Sequence, residues 1–188
     1  DPNWKENELT QLNTLLANPV PKTGSADSKD GWLMIPTGGT SGVLKFARHD
    51  ETTLSAAVRG FIQHFGLSQV NAVGVLPLHH VSGLMAWLRC ALTGGEFQPL
   101  EWKALENGQR PTVPAKPRGW VISLVPTQLE RLLGNEAAVA WLQTFQIIFL
   151  GGAPAWPSLL AAAAAQRLPI SLGYGMTETA AMVSALRP

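Results

Sequence analysis

The segment Thr37–Lys45 combines three glycines and several hydroxyl side chains with a lysine at its end, directly after an apolar run. Glycines let the backbone turn tightly and direct N–H groups inward, while Thr and Ser hydroxyls add further donors. Lys45 adds a positive charge. This combination is typical of polyphosphate binding, although Leu44 and the spacing exclude a Walker A loop. A flexible surface loop is the alternative for the segment taken alone.

Two adjacent histidines, His79 and His80, follow the predicted strand Ala72–Leu76. In open α/β sheets, ligands bind outside the carboxyl ends of the strands, so this position favours a functional role. Adjacent side chains do not point the same way, which argues against a metal pair, and no other His, Cys or Glu set has ligand spacing. A packed or capping histidine is the alternative.

Two more segments follow predicted strands. The backbone of Gly151–Ala153 lacks bulky side chains and could lie against a flat ring, although an ordinary turn explains the segment better when it is taken alone. In Tyr174–Glu178, the only tyrosine of the chain could stack on a base and Thr177 could contact a phosphate. Glu178 offers the hard oxygen that Mg²⁺ prefers.

The run Gly94–Phe97 spells the Gly-Gly-Glu-Phe signature of diguanylate cyclases. Those enzymes carry the signature at a hairpin tip, together with an earlier metal-binding carboxylate. Here it follows a predicted helix, so we expect Gly94 to end that helix as a C-cap.

The hydrophobic pattern predicts the elements that must position these residues. Short apolar runs alternating with helices predict an α/β fold with a layered, mostly parallel sheet flanked by helices. The polar, Pro-rich stretch Leu100–Gly119 is predicted to be a long loop with a short helix at Trp102–Glu106. Other predicted helices are Lys5–Ala17, Glu51–Phe65, Gly83–Leu92, Thr127–Leu133, Glu136–Phe145 and Pro157–Gln166. Predicted strands are Trp32–Ile35, Ala72–Leu76, Trp120–Val125, Gln146–Leu150 and Ile170–Leu172.

Composition excludes several classes of protein. The chain carries 14 Lys and Arg against 13 Asp and Glu, which leaves no electrostatic footprint for nucleic acid. Its single cysteine, Cys90, cannot form an intramolecular disulfide. No apolar run approaches the roughly 18 residues of a membrane span, so we expect a cytoplasmic protein. Charged residues make up 14% of the chain, against about 25% usually, which predicts surface covered by further chain.

In order and spacing, the four segments resemble the core motifs of the adenylate-forming superfamily, which includes acyl-CoA synthetases and luciferases. Thr37–Lys45 resembles the superfamily's Thr-Ser-Gly-Thr-Thr-Gly-x-Pro-Lys loop and departs from it at Gly38, Ser41 and Leu44. Leu76–His80 resembles Leu-Pro-Leu-Phe-His, with a histidine in place of the aromatic residue. Tyr174–Glu178 matches Tyr-Gly-x-Thr-Glu without departure.

Within that superfamily the chain is most similar to the o-succinylbenzoate–CoA ligases of menaquinone and phylloquinone biosynthesis. The residues behind this likeness are His80–Gly83, Ser123–Leu129 and Leu150–Ala153, and the resemblance runs from Trp32 to Ser184. Two alternatives stay open at this point. One is an adenylate-forming ligase for another carboxylic acid, and the other is a non-catalytic nucleotide-binding or interaction module.

The resemblance implies a small-molecule carboxylic acid, ATP, Mg²⁺ and CoA as the ligands. It implies that His80, Lys45 and Glu178 act in catalysis, with Glu178 holding Mg²⁺ and His80 positioning the acyl carboxylate. Further candidates for the acid pocket are Ser82, Thr127 and Gln128. Candidates for nucleotide binding are Thr37, Gly38, Gly39, Thr40, Ser41, Gly42, Lys45, Gly151, Gly152, Ala153, Tyr174, Gly175 and Thr177.

The resemblance also implies a division of the chain. Residues 1–31 are expected to form an N-terminal helix and a polar linker, and residues 32–188 the nucleotide-binding part of a large N-terminal domain. The superfamily's ribose-binding Asp, its hinge and its C-terminal domain with a catalytic Lys are expected beyond Pro188. We therefore expect the 188-residue chain alone to turn over poorly.

Overall fold

A computed structural model describes residues 6–17, 33–37, 44–114 and 119–188 of the chain. The helices are α1 Glu6–Ala17, α2 Glu51–Phe65, α3 Val81–Thr93, α4 Trp102–Glu106, α5 Pro126–Leu133, α6 Glu136–Leu142 and α7 Pro157–Ala165. The strands are β1 Leu33–Thr37, β2 Lys45–His49, β3 Asn71–Gly74, β4 Phe97–Pro99, β5 Trp120–Leu124, β6 Ile147–Leu150, β7 Ile170–Met176 and β8 Ala181–Ala185. A 3-10 turn spans Thr177–Thr179. The glycine-rich part of the predicted phosphate loop, 38–43, and most of the predicted linker lie outside the described residues.

Within the described ranges, six strands form one sheet in the order β4-β3-β5-β6-β7-β8. Strand β3 pairs in parallel with β4 and β5, and the pairs β5–β6 and β6–β7 are also parallel. Strand β8 is antiparallel to β7, and β1 and β2 form a separate antiparallel hairpin. The predicted fold class, a mostly parallel sheet flanked by helices, is confirmed.

The apolar runs of β5 and β6 are continuous because both faces of the sheet are covered. Ile122 and Ile148 pack into a cluster with the buried residues of α5, α6 and α7. Their neighbours Val121 and Ile147 belong to a different cluster, on the face covered by α2 and α3. Alternation along each strand thus sends successive side chains into two cores.

Capping residues fix the ends of α2 and α3. Asp50 accepts a hydrogen bond from the Thr53 N–H at 2.8 Å and Thr53 bonds back to the Asp50 N–H, which is a capping box. Gly94, at φ 68°, ends α3 with its N–H bonded to the Cys90 carbonyl. The predicted C-cap role of Gly94 is therefore confirmed, and Phe97 of the same tetrapeptide begins β4.

Strands β2, β4 and β8 were not expected from the sequence, and β7 is four residues longer than its predicted end at Leu172. Strand β2 carries three charged or titratable side chains in five residues, and β4 has only three residues. Strand β8 is ordered by its antiparallel pairing with β7, which passes through an irregularity at Tyr174 and Gly175. Each of these strands is ordered by pairing with another strand, and the periodicity of the segment by itself carries no signal of such pairing.

Among the described residues, no helix has the length and apolar character that crossing a membrane requires.

We predict that Gly83→Ala destabilises the fold, because a Cβ there would overlap the carbonyl oxygens of Leu76 and Pro77. The free energy of unfolding, measured by urea denaturation, should fall by about 1–3 kcal/mol. Gly60→Ala is the matched control, since α2 leaves open space around that position. It should raise stability by about 0.5–1 kcal/mol, and equal effects at the two sites would contradict the packing argument.

Candidate functional site

A cleft of about 490 Å³ lies at the carboxyl edge of the parallel strands. Leu124, Leu150 and Leu172 are in register across β5, β6 and β7. Each of these strands therefore leads into the cleft at the same level, where Gly151 and Gly173 form part of its wall.

The cleft lies beside the point where the strand order reverses. The chain runs from β3 to β4 on one side and then to β5 on the other side of β3. Connections that leave in opposite directions open a crevice between neighbouring strand ends, and ligands of open α/β sheets bind there. His80 and Ser82, after β3, and Ser123, near the end of β5, all line this cleft.

His80 lies directly before α3, with its N–H donating to the Pro77 carbonyl at 3.0 Å. Its ring centroid is 4.4 Å from that of His79. Partial burial, and secondarily the charge of His79, lower the pKa of His80 below its ordinary value. Near neutral pH the ring is therefore an uncharged hydrogen-bonding group at the mouth of the cleft.

The wall formed by β6 and β7 presents backbone and one aromatic ring. Gly152 has φ 80°, a left-handed conformation that favours glycine. A Cβ at Gly151 would lie 3.2 Å from the Gly173 carbonyl oxygen, so the backbone there is closely packed and flat. Tyr174 is 64% exposed and lines the same cleft together with Gly175. Ala153 is exposed and lies outside the lining.

The 3-10 turn after β7 carries two predicted phosphate-handling residues. Thr179 braces the turn, because its hydroxyl accepts from the Met176 N–H at 3.1 Å and lies 3.1 Å from the Ala181 carbonyl oxygen. Thr177 lines the cleft and Glu178 is exposed beside it.

The site suits a magnesium ion that takes few of its ligands from the protein. Within the described ranges, no group of three or more His, Cys, Asp and Glu side chains could hold a metal ion. Mg²⁺ commonly takes one or two carboxylates and completes its shell with phosphate oxygens and water. A single carboxylate, Glu178, fits that pattern.

The phosphate loop is described only at its ends. Thr37 and Lys45 are directly paired between β1 and β2, so the intervening loop closes the hairpin. Pro36 lines the cleft, which places this hairpin beside it. The Leu44 N–H donates to the Gln11 side chain of α1 at 2.7 Å. The predicted contacts of residues 38–42 with a ligand lie outside the described residues.

Two predicted acid-pocket residues lie on α5 and outside the cleft lining. The Gln128 side-chain oxygen accepts from the Val125 N–H at 3.0 Å, which caps the start of the helix. Thr127 is exposed. Their contact with an acid stays a prediction.

Sequence reasoning missed Arg89, the one charged side chain among the described residues that lines the cleft. It is only 5% exposed, and its guanidinium carbon lies 4.0 Å from the centre of the Phe61 ring and 5.9 Å from that of Phe149. Within the part of the chain that the structure describes, its Nε atom has no hydrogen-bond partner. Burial lowers the pKa of Arg89 to about 10, so the side chain is still a cation at neutral pH.

The sequence did contain a signal for Arg89. Val81, Met85 and Arg89 follow one another at four-residue intervals on α3, and all three are buried. Arg89 therefore continues the buried stripe of an amphipathic helix, where a charge is unexpected. A cation in such a stripe is an indication of a ligand or an ion partner.

Comparison with known proteins gives consistent likenesses. Residues 2–188 match the profile of a family described as AMP-binding enzyme. A 2-succinylbenzoate–CoA ligase of Enterococcus faecalis is 31% identical over 153 residues, which make up 80% of this chain and 30% of the relative. The 2-succinylbenzoate–CoA ligase of Salmonella typhimurium is 36% identical over 161 residues, 81% of this chain and 31% of the relative.

A solved structure supports the same likeness. The O-succinylbenzoate coenzyme A synthetase from Bacillus subtilis, in complex with AMP, superimposes with a TM-score of 0.65 at 25% identity. The match covers 82% of this chain and 31% of the neighbour. The chain thus spans about a third of the length of the proteins it resembles.

We predict that His79→Gln raises the pKa of His80 towards 6.5 but not fully, because burial is the larger cause of its lowering. Titration of the imidazole signals by NMR measures this, and His64→Gln on α2 is the control that should leave His80 unchanged. The folded-state pKa of His80 lies below its unfolded value, so the unfolded state binds more protons at acidic pH. His80 therefore lowers the free energy of unfolding as the pH falls below about 6.5. An unchanged pKa in His79→Gln would contradict the assigned charge effect.

Proposed function

The chain belongs to the AMP-binding enzyme family, and on this premise we propose that it is the nucleotide-binding part of an AMP-forming acid–CoA ligase for 2-succinylbenzoate. A carboxylate oxygen of the acid attacks the α-phosphorus of ATP, and the bond to pyrophosphate breaks. The CoA thiol then attacks the acyl carbonyl, and AMP leaves. The product serves menaquinone or phylloquinone biosynthesis in the cytoplasm.

The buried cation of Arg89 is the observation that carries the choice of acid. A buried charge whose hydrogen bonds are incomplete is costly, and within the described residues the Nε atom of Arg89 has no partner. The guanidinium of Arg89 lies against the rings of Phe61 and Phe149, so the surroundings of the charge are aromatic. An aromatic acid with a second carboxylate matches them, because its ring suits the apolar surroundings and its second carboxylate pairs with the cation. A fatty acid carries only the carboxylate that reacts with ATP and has no second anionic group to pair with Arg89. This difference separates the proposal from a ligase for a fatty acid.

The first step brings two anions together, and the site must align them and neutralise their charge. His80, uncharged near neutral pH, hydrogen-bonds the reacting carboxylate at the cleft mouth. Thr177 donates to the α-phosphate. Lys45 and the loop that it ends hold the β- and γ-phosphates, and Mg²⁺ bound at Glu178 offsets the charge of the leaving pyrophosphate.

The flat backbone at Gly151 and Gly152 and the exposed ring of Tyr174 form the proposed adenine slot. Both line the cleft, and the two glycines leave backbone rather than side chains at their own positions. We assign nucleotide binding to residues 32–188 as one region. We assign the thioester step to parts of the longer relatives that the chain does not span.

ATP–pyrophosphate exchange by the full-length protein, with a panel of acids, tests the proposal. Exchange that depends on 2-succinylbenzoate supports it, and exchange with other acids alone would refute it. A non-catalytic nucleotide-binding module would show no exchange with any acid.

We predict that Arg89→Met raises the KM for 2-succinylbenzoate at least about tenfold, because a charged hydrogen bond is lost. The KM for Mg·ATP should stay the same. The melting temperature should not fall, since Met removes a buried charge without a protein partner at Nε. The control substrate is an aromatic monocarboxylate of similar size, whose KM should not respond. An equal rise in KM for both acids would contradict a role of Arg89 in binding the second carboxylate.

We predict that Glu178→Gln raises the Mg²⁺ concentration needed for half-maximal exchange at least about tenfold, because the amide is a poorer metal ligand. Glu136→Gln, an exposed carboxylate at the start of α6, is the matched control and should change nothing. If Glu178→Gln needs the same Mg²⁺ concentration for half-maximal exchange as the wild type, Glu178 is not a ligand of the metal ion.

A further inference from the structure

We propose that His49 is a positioning residue that holds the Thr177–Thr179 turn in place for binding of Mg·ATP. The inference rests on the nucleotide-binding part of the proposed function and is independent of which acid is activated. His49 itself touches neither phosphate nor metal in this proposal and acts through the turn.

A hydrogen bond from a buried histidine to a backbone carbonyl joins two distant segments. His49 is the last residue of β2 and only 3% exposed. Its Nε2 atom lies 2.7 Å from the carbonyl oxygen of Thr177, which is 128 positions later in the chain. A carbonyl oxygen only accepts, so the Nε2–H of His49 is the donor.

The turn needs external support because its backbone is strained. Ala180 and Ala181, which follow it, have φ 53° and 75°, in the left-handed region that costs a non-glycine residue about 1–2 kcal/mol. Such conformations persist where the surroundings over-determine them. Ala180 is buried in a cluster with β1, α2 and α3, and His49 is the side chain that secures Thr177 itself.

The same bond fixes the turn relative to strand β2. Lys45, Ala47 and His49 alternate along β2 and therefore share one face of the strand. Strand β2 contacts the turn, and His49 anchors this face to it. The tie thus connects the strand that begins with Lys45 to the turn that carries Glu178, so the two charged groups are held on one framework.

A loosened turn would weaken nucleotide binding without removing a ligand contact. If the turn leaves its binding position for part of the time, the apparent affinity falls in proportion to the competent fraction. The loss should therefore fall on Mg·ATP and leave the acid side of the cleft unaffected.

The test compares His49→Gln with His49→Met in the full-length protein. The two side chains have similar length and flexibility, but only Gln keeps an N–H donor at the position of Nε2. Isothermal titration calorimetry with Mg·ATP and no acid gives the dissociation constant. We expect His49→Met to bind about tenfold more weakly than the wild type and His49→Gln to stay within about threefold.

His64→Gln and His64→Met form the control pair. His64 lies on α2 with its ring edge-on to Phe65, so both variants should bind Mg·ATP like the wild type. Should His49→Met fail to fold, as shown by its melting temperature, His49→Leu, which also lacks a donor, takes its place in the comparison with His49→Gln.

Equal affinity in the Met and Gln variants at position 49, whether both are unchanged or both reduced, overturns the positioning role. If the wild type binds Mg·ATP and the two variants bind it with equal affinity, this inference alone is overturned. A wild-type protein that does not bind Mg·ATP overturns the nucleotide function and this inference with it. Dependence of exchange on a different acid refutes only the choice of substrate.

Discussion

The parallel register of β5, β6 and β7 is the constraint on which the rest of the cleft depends. Because Leu124, Leu150 and Leu172 are aligned, the three strands end at one level and their connecting segments open on the same side. Each connection then runs back as a helix along one face of the sheet to the amino ends of the strands. The chain thereby brings backbone, a tyrosine ring and hydroxyl groups to one edge.

The cleft combines a polar rim with a cation set deep among apolar groups. His80, Ser82 and Thr177 lie at strand and helix ends, where their polar groups reach solvent or ligand. Arg89 lies in the middle of α3, held over Phe61, and its stacking offsets only part of the cost of burial. A charge placed this way costs stability in the empty protein, so it favours ligands that bring the matching anion.

The sequence predicted the parts of the fold that short-range patterns determine. Helix α2 begins and ends where predicted, because Asp50 and Gly66 provide local start and stop signals. The cleft residues at strand ends were also predicted, since the glycines, His80 and Thr177 lie within a few residues of the ends of apolar runs. Strand β8 and the His49 bond were not predicted, because β8 is ordered by its pairing with β7 and the acceptor of the His49 bond lies 128 positions later in the chain. Arg89 was not predicted, because its charge obscures its place in the apolar stripe of α3, and its four-residue spacing from Met85 is the signal that the sequence offers.

The two walls of the cleft are held in different ways, and this difference bears on how the site can work. The strand ends of β5 to β7 are fixed by the main core, whose residues are buried on both faces of the sheet. The β1–β2 hairpin lies outside that sheet. Ile35 joins it to a cluster with residues of α2, α3 and Ala180, and the hydrogen bond from His49 ties it to the turn. Elements with few buried contacts open at lower free energy than the core does. The phosphate-handling side can therefore adjust to a nucleotide while the opposite wall stays fixed.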